Sequence, residues 1–217
     1  MNKTLQASLL AIALLHAPHP AQAADLVQPR AAKLAPSQAA LQRLQDAEAL
    51  RQLAYSYGRG NDAVAIHHGD RAKGREAATA EYSKGFAPGV QVEVYALGGS
   101  TPIGRATGVA EWVQFVEKFY DNAQYTSTLH LMSNFDIRFT DANTAVMSAH
   151  ALAPHFIRSA AQNAASAETS LELMNCRYTF SAKRGNDGRW QTTQLRIELL
   201  EIWRGPGFYP GGQGKGT

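Results

Sequence analysis

The spacing of apolar residues changes along the chain, from a helical repeat near the start to strand-like alternation later. In residues 37–62, apolar side chains recur three or four positions apart, which predicts an amphipathic helix. Gly58 and Gly60 are expected to end this helix. The positions assigned to its apolar face are Leu41, Leu44, Leu50, Leu53, Ala54 and Tyr57.

Two more helices and one strand are predicted in the middle of the chain. Residues 63–88 are weakly patterned and look longer than a simple connection, with one short helix and a Pro-Gly turn at 88–89. Residues 90–97 alternate between apolar and polar side chains and predict a strand. A second amphipathic helix follows at 107–122, with Thr107 suited to its N-cap.

Long alternating segments fill the C-terminal half and predict antiparallel strands. The last two are joined by RGNDG, a hairpin signal. Because helices come first and strands afterwards, we predict an α+β domain with helices packed on one face of a curved sheet. The predicted strands cover residues 126–140, 144–157, 170–183 and 189–203.

Composition narrows the class of protein. A chain of 217 residues that is 45% apolar is long enough for one globular domain with a buried core. The formal net charge of +3 is small and dispersed, unlike the clustered basic surface of a nucleic-acid-binding protein. A single cysteine, Cys176, excludes an internal disulfide, and its apolar neighbours favour a buried small side chain.

The first 23 residues have the features of an export signal. A basic start, MNK, precedes the apolar run LQASLLAIALLHA, and AQA stands before Ala24 as a cleavage site. The run is shorter than the roughly 20 residues that span a bilayer, although an uncleaved anchor is the alternative. We therefore predict a signal peptide (1–23), a flexible lead-in (24–36), one domain (37–205) and a disordered tail (206–217). The mature protein would be periplasmic or extracellular, with no membrane association.

Residues 128–156 carry three histidines within predicted strands. If DANT forms a tight turn, His130 lies opposite His155, and their Cβ atoms are about 4.5–5.5 Å apart on one face. His150 would pair with Phe135 and point to the other face, unless a bulge shifts the register. The face shared by the first two histidines mixes small, apolar and polar side chains, which is typical of a ligand pocket.

Four segments carry a family resemblance: DAEALRQLAYSYGRGND, LHLMSNFDIRF, AVMSAHALAPHF and GRWQTTQLRIELLEIW. On these segments the chain resembles the nuclear transport factor 2-like (NTF2-like) superfamily, in its SnoaL-like branch, over roughly residues 40–205. The resemblance implies a cone-shaped curved antiparallel sheet packed on N-terminal helices, with a pocket inside. Members are often dimeric, which leaves a homodimer or higher homo-oligomer open. They include scytalone dehydratase, hexachlorocyclohexane dehydrochlorinase, ketosteroid isomerase and non-catalytic binding domains.

The resemblance implies roles for individual residues. His130 and His155 are spaced like the two catalytic histidines of the dehydratase. Asp62 matches the aspartate of the dehydrochlorinase His-Asp dyad, whose histidine matches His130. Tyr95 matches a dehydratase tyrosine from the strand after the helix. Asn61 stands where a second dehydratase tyrosine is expected, and this departure changes the shape of the pocket.

Such a set of residues implies proton abstraction next to a leaving group or a carbonyl, without a cofactor. Asp62 would orient His130, which takes the proton as general base. His155 and Tyr95 would hold or protonate a departing oxygen. The residues expected to bind the substrate are Asn134, Met132 and Tyr57.

Two functions of different kinds stay open. One is an exported, dehydratase-like lyase or isomerase acting on a small, largely apolar molecule. The other is a non-catalytic small-molecule-binding protein with the same fold. A metal site is not expected, because His130 and His155 supply two of the three or four ligands that zinc requires. A hydrogen bond from His130 to Asp62, with that histidine facing a cavity, would favour the enzyme.

Overall fold

Residues 38–158 and 168–210 are described by the computed structural model, and they form three helices and a curled sheet of seven strands. The helices are α1 (Gln38–Ile66), α2 (Arg71–Gly85) and α3 (Gly108–Ala123). The strands are β1 (Phe86–Tyr95), β2 (Pro102–Thr107), β3 (Tyr125–Thr128), β4 (Leu131–Phe139), β5 (Thr144–Arg158), β6 (Glu168–Arg184) and β7 (Trp190–Pro210). The predicted α+β class is confirmed.

The sheet runs in the order β2-β1-β7-β6-β5-β3, and β4 also pairs with β5. All neighbouring strands are antiparallel except β1 and β7, which pair in parallel. The predicted signal peptide, the lead-in and residues 211–217 lie outside the described residues. β7 reaches Pro210, beyond the predicted end of the domain at 205. Among the described residues, no helix is both long and apolar enough to cross a membrane.

The prediction that Gly58 and Gly60 end the first helix is wrong, because α1 continues through both glycines to Ile66. A Cβ atom added at Gly60 would lie 2.4 Å from the ring of Tyr82 on α2. One added at Gly58 would lie 3.1 Å from Cβ of His130. The glycines therefore allow close approach of neighbouring elements and do not act as helix stops.

Only part of the predicted apolar face of α1 is buried. Leu50, Leu53 and Tyr57 belong to the core, whereas Leu41 and Leu44 are 45% and 66% exposed. At about 100° per residue, those two leucines lie on the far side of the helix. Toward the N-terminus, the buried face of α1 continues through a polar residue, Asp46. This carboxylate accepts a hydrogen bond from Trp190 Nε1 (3.1 Å) and forms an ion pair with Arg184 (2.6 Å).

Smaller differences concern the boundaries of β1, β2 and α3. The predicted turn at 88–89 lies inside β1, which begins at Phe86, and β2 begins at Pro102 within the predicted loop. α3 begins directly after Thr107, as predicted. The Thr107 hydroxyl does not cap the helix, however, because it donates to Gln91 Oε1 in the adjacent strand.

The strand predicted at 126–140 is divided in two, and this division sets the geometry of the site. β3 ends at Thr128, which pairs with His155, and β4 resumes with Leu131 opposite Leu152. His130 therefore lies between two strands and not in the ladder. The predicted pairing of His130 with His155 is wrong in register. His150 pairs with Ser133 and not with Phe135 as predicted.

A bulge in β4 then reverses which side chains point inward. Asn134 has a left-handed backbone (φ 51°), and the register shifts between Ser133 and Asp136. An extra residue in one strand moves the following side chains to the other face. Phe135 consequently packs against the core on the same face as Met132, whereas regular alternation predicted the two side chains on different faces of the sheet.

The core fills the hollow between the helices and the concave face of the sheet. Tyr57 lies at its centre, with its ring centroid 5.1 Å from that of Tyr178 and 6.1 Å from that of Trp112. Cys176 is buried and has a free thiol, as predicted. Aromatic packing of this kind fixes the position of α1 against the sheet, and with it the residues that follow Tyr57 on that helix.

Candidate active site

A cavity of about 360 Å³ lies between α1, α3 and the concave face of the sheet. Its volume is near the lower end of the range for small-molecule sites, and most of its walls are apolar. The wall side chains that carry a polar group are Tyr57, Asn61, Trp112, Lys118, Tyr120, Asn122, His130, His155, Cys176 and Tyr178.

One wall carries a histidine held by a carboxylate. His130 Nδ1 is 2.7 Å from Asp62 Oδ1, and the backbone N–H of His130 donates to Asp62 Oδ2 at 3.2 Å. The Thr128 hydroxyl also donates to Asp62 Oδ1, at 2.8 Å. The side chain of His130 is 4% exposed and that of Asp62 is 25% exposed. Because a carboxylate accepts hydrogen bonds, its partner Nδ1 carries the proton and Nε2 is left as a base.

Two features that the sequence did not predict create this contact. α1 continues past Gly60, which carries Asp62 toward the end of β3. The break after Thr128 frees the backbone N–H of His130 from the β ladder, so that this group can donate to Asp62. The absence of a side chain at Gly58 lets α1 approach His130 closely.

The second histidine of the cavity is held differently. His155 is 2% exposed, and its Nδ1 is 2.8 Å from the backbone carbonyl of Ala153. Its ring centroid lies 5.6 Å from that of His130, in an edge-to-face arrangement. Burial, and secondarily the neighbouring His130, lowers the pKa of His155 to about 3. The ring therefore stays neutral at physiological pH.

Three tyrosines of the cavity wall keep their protons. Burial raises the pKa of Tyr57, Tyr120 and Tyr178 well above the usual value. Each of these hydroxyls is consequently a neutral group that can donate a hydrogen bond. The Tyr57 ring also packs edge-to-face on His130, with the centroids 6.1 Å apart.

A buried acid lies behind His155 and was not singled out from the sequence. Glu172 pairs with His155 across β5 and β6, and its Oε1 accepts a 2.5 Å hydrogen bond from the Tyr125 hydroxyl. Arg204 contacts the other oxygen. The Tyr125 ring lies 4.6 Å from that of His155. An acidic residue at an inward position of an apolar strand was the available signal in the sequence.

Tyr95 does not meet the histidines, contrary to the expected role. Its hydroxyl donates to Glu93 Oε2 at 2.6 Å, and Arg196 lies over its ring at 3.5 Å. Val94, the residue before it, lines the cavity. Successive side chains of a strand point to opposite faces, so Tyr95 points away from the cavity that Val94 reaches.

The three expected substrate-binding residues occupy different environments. Tyr57 lines the cavity. Met132 packs against the core beside Gly58 and is not part of the cavity wall. Asn134 is exposed, forms the bulge of β4 and is not part of the cavity wall. Asn61 does line the cavity, and its amide donates to the Tyr57 carbonyl at 3.1 Å.

Residues 38–158 and 168–210 contain no cluster of side chains suited to bind a metal ion. Within these ranges no three His, Cys, Asp or Glu side chains converge on a point that could hold an ion. The adjacent pair His67 and His68 follows the end of α1, where His68 Nδ1 contacts the Ala65 carbonyl. Asp70, the nearest acid, caps α2 by accepting from the Lys73 backbone.

Comparisons with known proteins identify the same architecture. The sequence profile of the SnoaL-like domain family matches residues 42–196. A hexachlorocyclohexane dehydrochlorinase of type 2 is 15% identical, with 80% of this chain and 98% of that chain covered and a TM-score of 0.56. Type 3 of that enzyme, from Novosphingobium barchaimii LL02, is 15% identical, with coverages of 76% and 92% and a TM-score of 0.53.

A scytalone dehydratase-like protein from Novosphingobium aromaticivorans DSM 12444 is 16% identical, with 81% of this chain and 97% of that chain covered and a TM-score of 0.53. At these identities the likeness establishes the fold. The comparison with curated protein sequences found no match.

Proposed function

The chain belongs to the SnoaL-like domain family, and from that premise we propose that it is a cofactor-independent lyase or isomerase with His130 as its general base. The observation that supports this proposal is the Asp62–His130 pair, with His130 on the wall of a largely apolar cavity. Structures of a dehydrochlorinase and a dehydratase-like protein among the relatives agree with proton-transfer chemistry in this fold.

In the proposed reaction, Nε2 of His130 removes a proton from a substrate carbon next to a leaving group or a carbonyl. Asp62 holds the Nδ1 proton and stabilises the imidazolium that forms. In a lyase, the C–H electrons become the new double bond and the leaving group departs with its electron pair. In an isomerase they form a C=C bond while the π electrons of the carbonyl move onto its oxygen, and the imidazolium returns the proton at another carbon as the C=O bond re-forms.

Hydroxyl donors on the other walls suit the charge that develops in either reaction. Tyr120 and Tyr178 line the cavity with hydroxyls that burial keeps protonated. A hydrogen bond from either one would stabilise a departing oxygen or an enolate oxygen. The apolar remainder of the wall selects a small, largely apolar molecule such as a substituted ring.

Replacing Asp62 with asparagine tests the pair directly. An amide keeps the shape but cannot neutralise an imidazolium, so we expect turnover to fall about 10²-fold with little change in KM. The substrate for the assay comes from a thermal-shift screen of hydroxylated and halogenated ring compounds, because bound ligands raise the melting temperature. Product formation is followed by NMR.

The matched control is Asp136→Asn, which changes an exposed aspartate on β4. It should leave turnover unaltered. Full activity of Asp62→Asn would contradict the assigned role. Compounds that stabilise the wild-type protein but are never turned over would favour the non-catalytic binding function.

We propose further that residues 1–23 direct export and are removed, which would place the mature protein in the periplasm or outside the cell. The basic start, short apolar run and AQA site support this proposal. N-terminal sequencing of protein from a periplasmic extract should begin at Ala24. Protein recovered with Met1 from the cytoplasm would count against it.

A further inference from the structure

We propose that His155 is a fixed hydrogen-bond acceptor that selects ligands carrying a hydroxyl donor, so the cavity prefers a hydroxylated ring to its halogenated counterpart. This inference deepens the proposed function and rests on it for the reaction, but it concerns binding and can be tested without turnover. It also separates the two histidines of the cavity into different roles.

The contact at Nδ1 fixes the tautomer of His155. Its partner is the backbone carbonyl of Ala153, at 2.8 Å, and a carbonyl oxygen has no proton to give. The ring must therefore donate from Nδ1. In a neutral ring Nε2 then carries a lone pair and can only accept.

The surroundings of the ring do not protonate it. The groups that face it are His130, Tyr120, Tyr125 and the backbone of Glu172, and the charge of Asp62 also reaches it. Asp62 and the backbone carbonyls favour the protonated ring, but burial and His130 outweigh them. The Glu172 carboxylate could otherwise stabilise an imidazolium, but it accepts a hydrogen bond from the Tyr125 hydroxyl and forms an ion pair with Arg204. His155 is therefore almost completely buried with its Nδ1 on a backbone carbonyl, whereas the Nδ1 of His130 contacts the carboxylate of Asp62.

A ligand in the cavity can reach both rings at once, because their centroids are 5.6 Å apart and both lie on its wall. A hydroxyl donor would replace the hydrogen bond that Nε2 loses when water leaves. A carbon–halogen bond would leave the acceptor buried and unpaired, which weakens binding. Because His155 has no proton to transfer, the hydroxyl that it holds is an anchor. The departing group would then meet another donor of the wall, such as the Tyr120 hydroxyl.

The test uses phenol and chlorobenzene, two rings of similar shape that differ in the donor. Their dissociation constants are measured by NMR titration of the purified protein. In the wild-type protein we expect phenol to bind about tenfold more tightly than chlorobenzene. In His155→Phe the preference should disappear, with chlorobenzene binding at least as well as before.

Met174→Leu is the matched control, because it alters an apolar wall residue and leaves the acceptor in place. It should keep the preference for phenol. Equal affinities in the wild-type protein, a preference that persists in His155→Phe, or failure of phenol to bind would each overturn the role of His155. If the preference is absent while turnover still depends on Asp62, only this inference fails and the proposed function stands.

Discussion

Replacing His130 with asparagine is expected to reduce turnover by about 10²- to 10⁴-fold, the contribution typical of a positioned proton-transfer group. The asparagine amide can still donate to Asp62, so the contact that fills this part of the wall is kept. It has no lone pair of imidazole basicity, so the proton on the substrate carbon has no acceptor. The measurement is kcat/KM for the substrate identified by the thermal-shift screen.

The control for this variant is a histidine outside the cavity. His150 lies between Ala149 and Ala151, which are buried on the inner face, so its side chain points outward. His150→Asn should retain turnover. A melting temperature of His130→Asn close to that of the wild type would show that the fold is intact. Near-normal turnover in a folded His130→Asn protein would remove the general base from the mechanism.

Acidification is expected to destabilise the protein through His155. The pKa of this histidine falls from 6.5 to about 3 on folding. Below pH 6.5 this histidine is therefore protonated in the unfolded chain but remains neutral in the folded protein. The contribution of this group is complete above pH 6.5 and is lost as the pH falls toward 3, by about 1.4 kcal/mol per pH unit. At pH 4.5 the loss amounts to about 3 kcal/mol.

Urea unfolding of the wild type and of His155→Phe between pH 7 and pH 4 isolates this contribution. Phenylalanine fills the site but does not titrate, so the variant should lose about 3 kcal/mol less than the wild type over this range, whatever its stability at pH 7. Parallel pH profiles for the two proteins would show that His155 titrates normally, and that it is not desolvated as described.

The helical and strand patterns of the sequence predict the fold class because they depend on local side-chain periodicity. They do not predict the role of Gly58 and Gly60. These glycines resemble helix stops, but they allow α1 to approach Tyr82 and His130 closely. Whether a glycine ends a helix or admits a neighbour depends on tertiary contacts. The same limit explains Leu41, whose apolar character suggested burial although it faces away from the core.

The two histidines meet for a reason other than the predicted register. A continuous hairpin was expected to bring them opposite each other, but the chain breaks after Thr128 and His130 occupies the gap. In this gap His130 forms hydrogen bonds to Asp62, a residue far away in sequence. The break therefore depends on a tertiary contact, and no local sequence pattern predicts it. A bulge was foreseen as a way to change the register, but its position at Asn134 was not.

The family resemblance suggested a catalytic role for Tyr95 but could not show which way its side chain points. Its assignment required knowledge of which strand face lines the cavity, and one position decides between Val94 inside and Tyr95 outside. Glu172 shows the converse, since a buried acid among apolar strand residues becomes interpretable only when Tyr125 and Arg204 are seen around it.

The tautomer of His130 decides whether this residue can act as the general base, because only a ring with its proton on Nδ1 presents a basic Nε2 to the cavity. Long-range ¹H–¹⁵N NMR correlation spectra, recorded at alkaline pH where an ordinary imidazole is neutral, distinguish the two ring nitrogens. We expect a protonated Nδ1 and an unprotonated Nε2 in the wild type, with this pattern lost in Asp62→Asn. A proton on Nε2 in the wild-type protein would contradict the proposed general base.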